Sequence, residues 1–328
     1  MNPQPVRDAV DRWQRARPLT AVPVAIAKKF TDDGASRLAA LIAYWSFFSI
    51  FPLLLAFASI LGFLLDGNPE FQDDVLDSTV AQIPVIGEQL SRDVTSLKGS
   101  GLALAVGIVG AVWAGLGVTL AIGDALDKLW AVPRMERPSY VQSRLRGLGI
   151  LAVIGTANVV TTAVVTLARN GTIQPPVAGL ASFAGSTAID FVVFLTAYRV
   201  LTTASVTTRQ VLPGAVLATI SWVGLQTLGG LYAEHVVAES NETYGAFAAI
   251  IGLLSWLWLA AQLSLGAAEV NVVLARRLWP RSLFGGLAPA DERAMRDAAQ
   301  AEQRDRREHI VVSFDQAAEP AADVRHDR

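Results

Sequence analysis

Of the 328 residues only 17% are charged, against about 25% in ordinary soluble domains, and the mean hydropathy is +0.40. The net charge of −2 removes any bulk electrostatic case for nucleic-acid binding. The absence of cysteine excludes disulfides, Cys-containing zinc sites and thiol catalysis.

Residues 1–37 are polar and charged, with no short apolar core and small-residue cleavage site, so no cleavable signal peptide is expected. Within them, Val22, Val24, Ile26 and Phe30 alternate with Lys28 and Lys29. That mixture suits a helix lying at an anionic inner membrane surface. Long apolar runs then follow at about 38–65, 101–123, 147–168, 178–202, 210–233 and 246–275. A helix rises about 1.5 Å per residue, so roughly 20 apolar residues cross the hydrocarbon layer. Backbone groups must be paired within each segment in lipid, so all six runs are expected to be helices. The predicted fold class is all-α, a polytopic six-helix transmembrane bundle. Short amphipathic helices are expected in the N-terminal segment and the first outer connection. The implied division is 1–37, a cytoplasmic segment; 38–275, the six-span domain; and 276–328, a cytoplasmic and largely disordered tail rich in Ala, Arg, Asp and Glu, within which 289–309 is a candidate helix.

Orientation follows from Lys and Arg in the connections. The N-terminal segment holds seven: Arg7, Arg12, Arg15, Arg17, Lys28, Lys29 and Arg37. Residues 66–100 hold only Arg92 and Lys98 among seven acidic residues. Residues 124–146 hold Lys128, Arg134, Arg137, Arg144 and Arg146; the next connection has only Arg169. Arg199 and Arg209 follow, 234–242 has none, and the tail opens with Arg276, Arg277 and Arg281. The alternation predicts both termini in the cytoplasm and residues 66–100 outside, as an acidic cap or a binding lid. No convincing internal repeat is visible, so the inverted-repeat signature of many transporters is not demonstrated.

Polar residues within apolar runs are the candidate site, because an unpaired ionisable group there costs several kcal/mol. Asp190 lies nine residues before Arg199, about 13 Å from that helix end. Its alternatives are a transport group and a buried acid bonded to Ser or Thr on a neighbouring helix. Glu269 lies seven residues before Arg276, about 10 Å in, and could reach the interface or pair with an Arg. Ser255, Gln262 and Glu269 are spaced by seven and share a helix stripe, which either lines a wet cavity or bonds helices together. Tyr44, Ser49 and Pro52 in the first span complete the candidate intramembrane site. Pro52 removes a backbone donor and frees the carbonyl of Phe48, permitting a kink or a headgroup contact. Trp222, Trp256 and Trp258 read as packing or interface residues.

The run Ala43-Tyr44-Trp45-Ser46, continuing to Phe51-Pro52-Leu53, resembles the signature of the YihY/BrkB family of bacterial inner-membrane proteins. Further agreement comes from Trp113 with Gly115 and Gly117, Leu129-Trp130 with Arg134 and Arg137, Pro213-Gly214-Ala215, Tyr244-Gly245-Ala246, and Glu269-Val270-Asn271. The similarity runs in order over about 25–277. It departs where the family's Gly-Ala-Glu reads Gly266-Ala267-Ala268-Glu269. The resemblance implies an inner-membrane protein of envelope integrity, moving a lipid or small solute, or alternatively scaffolding envelope assembly. Its partners would be the bilayer and such a lipid or solute, not nucleic acid; no oligomeric state follows.

The family's old ribonuclease label finds no support in the residues. His235, His309 and His326 lie on an outer connection and in the tail, and no metal-ligand or phosphate-loop motif is present. No enzyme, catalytic residue, metal site or cofactor is expected.

Overall fold

The computed structural model describes residues 4–64, 101–169, 175–232, 245–284 and 287–306. The expected outer connections 66–100 and 234–242 lie outside them, as do the three histidines. Among the described residues all regular structure is helical. The helices are α1 (Gln4–Arg15), α2 (Pro18–Asp32), α3 (Ala35–Leu64), α4 (Gly101–Leu129), α5 (Tyr140–Arg169), α6 (Pro175–Val200), α7 (Thr208–Tyr232), α8 (Gly245–Ala275) and α9 (Pro289–Arg306). A short 3-10 turn, Arg134–Glu136, joins α4 to α5.

Five stretches are long and apolar enough to cross a membrane: Ala35–Ala56, Ala105–Leu129, Gly179–Val200, Thr208–Gly229 and Ile250–Ala275. The expected third run lies within α5, which is not among the five. The described side chains of α5 end at Thr161, and that part carries Arg144, Arg146 and Asn158.

Each of the helices α3 to α8 packs against the next, and α8 returns to α3, so the six form a closed ring. Gly107 and Gly117 of α4 meet Ala56 and Trp45 of α3, and Gly214 and Gly229 of α7 meet Asn271 and Trp256 of α8, so these two pairs run antiparallel. The tightest pair is α3 with α4. Helices in lipid gain nothing by hiding apolar surface from water, so close contact depends on small residues that let backbones approach. Gly107 provides this: a Cβ there would lie 2.6 Å from the backbone nitrogen of Ala56. Gly110 does the same against Pro52, inside α3.

The buried core sits at one end of the ring. It contains Ala39 and Ile42 from α3, Ala125, Leu126 and Leu129 from α4, Val211 and Ala215 from α7, and Leu265 and Val272 from α8. These positions fall near the starts of α3 and α7 and the ends of α4 and α8. Helix α2 closes this end by laying Ala21, Ala25 and Lys29, spaced by four, against α8. It begins with Pro18, whose missing N–H costs nothing at a helix start. Between α2 and α3, Gly34 adopts φ +64°, a conformation open to glycine, and a Cβ there would meet the Arg37 guanidinium at 2.7 Å.

The described part of the tail is ordered: residues 276–284 and 287–306 are folded and docked, and α9 falls on the candidate helix 289–309. Arg281, Ser282 and Asp291 are buried, and Gln14 Nε2 donates to Arg281 O at 2.6 Å. High charge predicts disorder when charges stay solvated; here they are paired with one another.

Candidate functional site: a buried carboxylate beneath α2

Glu269 is 0% exposed, on the penultimate turns of α8. Lys29 approaches from α2, with Nζ 3.5 Å from Glu269 Oε2. The Lys29 ammonium also donates to Asp33 and, at 2.9 Å, to Leu129 O at the end of α4. One lysine thus ties α2, α4 and α8 together. Its partners are fully used, whereas neither oxygen of Glu269 accepts a well-formed hydrogen bond. A buried carboxylate left so is costly, and is the kind of exception that calls for a reason. The sequence suggested an Arg partner or the interface for Glu269; the partner is Lys29. Arg276 is instead held by Asp297 at 3.0 Å and by Trp130 O.

Two residues on, Asn271 Oδ1 accepts from Gly214 N at 2.6 Å. Pro213 and Gly214 lie in the second turn of α7, and a Cβ at 214 would collide with Ala267 O and the Asn271 amide. Tyr198 on α6 donates to Ser264 O at 2.6 Å. Asp127 on α4 accepts from Thr203 N at 2.7 Å and Thr203 Oγ1 at 2.8 Å, fixing the α6–α7 connection. The closed end is therefore a network of polar contacts between helices.

A second network lies outside it. Asp291 Oδ1 accepts from Lys28 Nζ and Arg281 Nε, both at 2.8 Å. Asp291 Oδ2 accepts from Ser282 N at 3.0 Å and Ala288 N at 3.1 Å, so Asp291 caps α9. Burial pushes the Asp291 carboxyl upward, but these donors outweigh it and hold it below the ordinary carboxylate value. Arg281 also reaches Asp32 at 2.7 Å. Between the networks is a cavity of about 230 Å³ lined by Lys28, Lys29, Asp33, Arg276 and Asp297, among others. Glu269 is not part of that lining.

The other expected site residues are dispersed. Asp190 is half-buried on α6, with no hydrogen bond or ion pair among the described residues. Ser255 is exposed and Gln262 half-buried, so their stripe runs from the ring's outside to its core at Glu269. Tyr44 is exposed and stacks near Phe48, 4.7 Å between ring centres. Ser49 donates to Ser46 O at 2.7 Å. Pro52 packs on Gly110. Lys29, Asn271, Arg281 and Asp291 were missed as site members. Only Lys29 carried a signal, a lysine following an apolar stretch at four-residue spacing from Ala21 and Ala25.

The family model described as virulence factor BrkB matches residues 26–287, from within α2 to just short of α9. This chain belongs to the BrkB family. Among similar proteins is the ribonuclease-like protein YfkH of Bacillus subtilis, 27% identical over 260 residues, 75% of this chain and 91% of that protein. A UPF0761 membrane protein of Pseudomonas aeruginosa is 26% identical over 268 residues, 78% of this chain. One of Xanthomonas campestris is 27% identical over 267 residues. This chain spans 63% and 61% of the lengths of those two relatives. No solved structure matches. The BrkB match includes Lys29, Glu269, Asn271 and Arg281, and both networks fall inside it except Ala288 and, on α9, Asp291 and Asp297.

Proposed function

We propose that this BrkB-family protein is a six-span inner-membrane protein of envelope integrity that moves a lipid or small solute across the bilayer, with both termini cytoplasmic and no catalytic activity. Helix α5 would supply the sixth crossing, since it completes the ring and is 30 residues long. The observation that carries the transport reading is Glu269. It is fully buried, short of hydrogen bonds, and faced by a lysine from a helix that closes one end of the ring. Such a group gains by moving or by exchanging its partner, which suits an end that opens. Asp190, half-buried on α6 and without a partner among the described residues, supports the same reading.

The scaffold reading has its own support in the folded tail, where Arg281 and Asp291 lock residues 281–291 onto α1 and α2. Ribonuclease chemistry gains nothing from this geometry: among the described residues no group of three His, Asp or Glu side chains could hold a metal.

The test is reconstitution of the full chain into vesicles carrying a fluorescent phospholipid and a trapped small anion or sugar. Accelerated lipid flip or solute release, lost in Glu269→Gln, is the expected result. No acceleration of either process, combined with a weakened envelope in cells lacking the protein, would replace transport with the scaffold.

A further inference from the structure

Helix α1 presents its side chains the wrong way round for a water-soluble helix. Its polar residues Asp11 and Gln14 are buried. Asp11 accepts from Leu283 N at 2.7 Å and Ser282 Oγ at 3.2 Å, and Gln14 donates to Arg281 O. Its apolar residues face outward: Val6 is 67% exposed, Val10 43% and Trp13 52%. At 3.6 residues per turn these three fall within about 60° of arc, a single stripe. Arg7 and Arg12 lie on either side of that stripe. Arg7 sits over the ring of Phe284, 5.9 Å from its centre, and Phe284 is itself exposed. Arg17 covers Trp13 at 4.9 Å.

We propose that α1 lies in the plane of the membrane surface, with Val6, Val10 and Trp13 inserted among the lipids and the flanking arginines on anionic headgroups. Polar docking faces the protein, so the stripe needs an apolar medium, and the arginines select a negatively charged one. Three sides of one helix then meet three surroundings: the tail on one side, lipid on the next, and water beyond Arg12 and Arg15. The position fits. Residues 281–283, which grip α1, lie only six to eight positions past the end of the apolar stretch at Ala275, and α2 runs from α1 to the end of α8. Trp at that level suits the boundary between headgroup and hydrocarbon. The inference rests on the chain crossing a membrane and not on transport.

The cysteine-free chain permits a direct test. Val10→Cys and Arg12→Cys carry a nitroxide, one at a time, in the full chain reconstituted into phosphatidylcholine–phosphatidylglycerol vesicles. Collision with oxygen, which concentrates in lipid, is compared with collision with a water-soluble nickel chelate. The oxygen-to-nickel ratio is expected to be several-fold higher at position 10 than at position 12. Val6→Cys should repeat the value at position 10, guarding against a local perturbation. Equal ratios at 10 and 12 would put the stripe in water and overturn the proposal. Low access to both reagents at 6 and 10 would show a protein partner, such as a second copy of the chain, and overturn it equally.

Discussion

Lys29 and Glu269 meet where α2 crosses the end of α8, 3.5 Å apart, with Glu269 shut off from solvent. The pair is unequal. Lys29 has two other acceptors, Asp33 and Leu129 O, whereas Glu269 faces that lysine and the like-charged Asp33 and accepts no well-formed hydrogen bond among the described residues.

That inequality predicts unequal mutants. Lys29→Met strands a buried carboxylate and removes the tie to α4, so it should destabilise by about 3–5 kcal/mol, the usual cost of breaking a buried pair from one side. Glu269→Gln leaves Lys29 its remaining partners and should cost about 1–3 kcal/mol. Thermal unfolding of the detergent-purified variants compares them. A larger loss in Glu269→Gln than in Lys29→Met would contradict the assignment of partners.

The α7–α8 contact at Gly214 predicts a steric effect. Gly214→Ala places a methyl against backbone oxygen and the Asn271 amide, neither of which can retreat like the tip of a flexible chain. Overpacking of this kind costs about 1–3 kcal/mol. Gly149→Ala is the control, since a Cβ there meets nothing within 4 Å. Equal melting temperatures for the two variants would argue against the close approach.

Much of this architecture was visible in the sequence because spanning a bilayer demands long charge-poor runs, and 38–65 or 246–275 contain little else. What the runs hid was pairing. Glu269 could be recognised as expensive, but its partner lies on another helix near the start of the chain, with no local pattern linking them. The seven-residue spacing of Ser255, Gln262 and Glu269 gave one stripe yet three different burials, because α8 passes from an exposed end into the core. The pairing of Arg281 with Asp291 was hidden for the same reason: ion pairing across a fold leaves no periodicity.

The docked tail should respond to acid. The Asp291 carboxyl is held below its ordinary value of about 3.9, so its ionised form is favoured by folding. The stabilisation is therefore complete above that ordinary value and is lost as pH falls through the folded-state value. Near neutral pH the tail should stay docked; below about pH 4 it should begin to release. Protease cleavage within 278–300, followed from neutral to acid pH with an acid-tolerant protease, reads this out. Asp291→Asn should be cleaved faster already at neutral pH. A variant as resistant as wild type would remove Asp291 from the docking.

Asp190 separates folding from function most sharply. It sits half-buried on α6 with no partner among the described residues. A structural carboxylate would resist replacement by leucine, because its partner would be left unpaired. An unpartnered one instead burdens the span, where a central Asp costs about 2.5–3.5 kcal/mol on insertion scales. Asp190→Leu should therefore leave the amount of folded protein in the membrane unchanged or raise it, and Asp190→Asn should fold as wild type does. If Asp190 serves transport, both variants should lose lipid or solute movement in vesicles, Asn included, because it keeps the shape and hydrogen bonds of Asp but not the charge. A drop in folded protein for Asp190→Leu would reveal a structural bond instead. Full transport in both variants would leave Glu269 as the group to which movement is coupled.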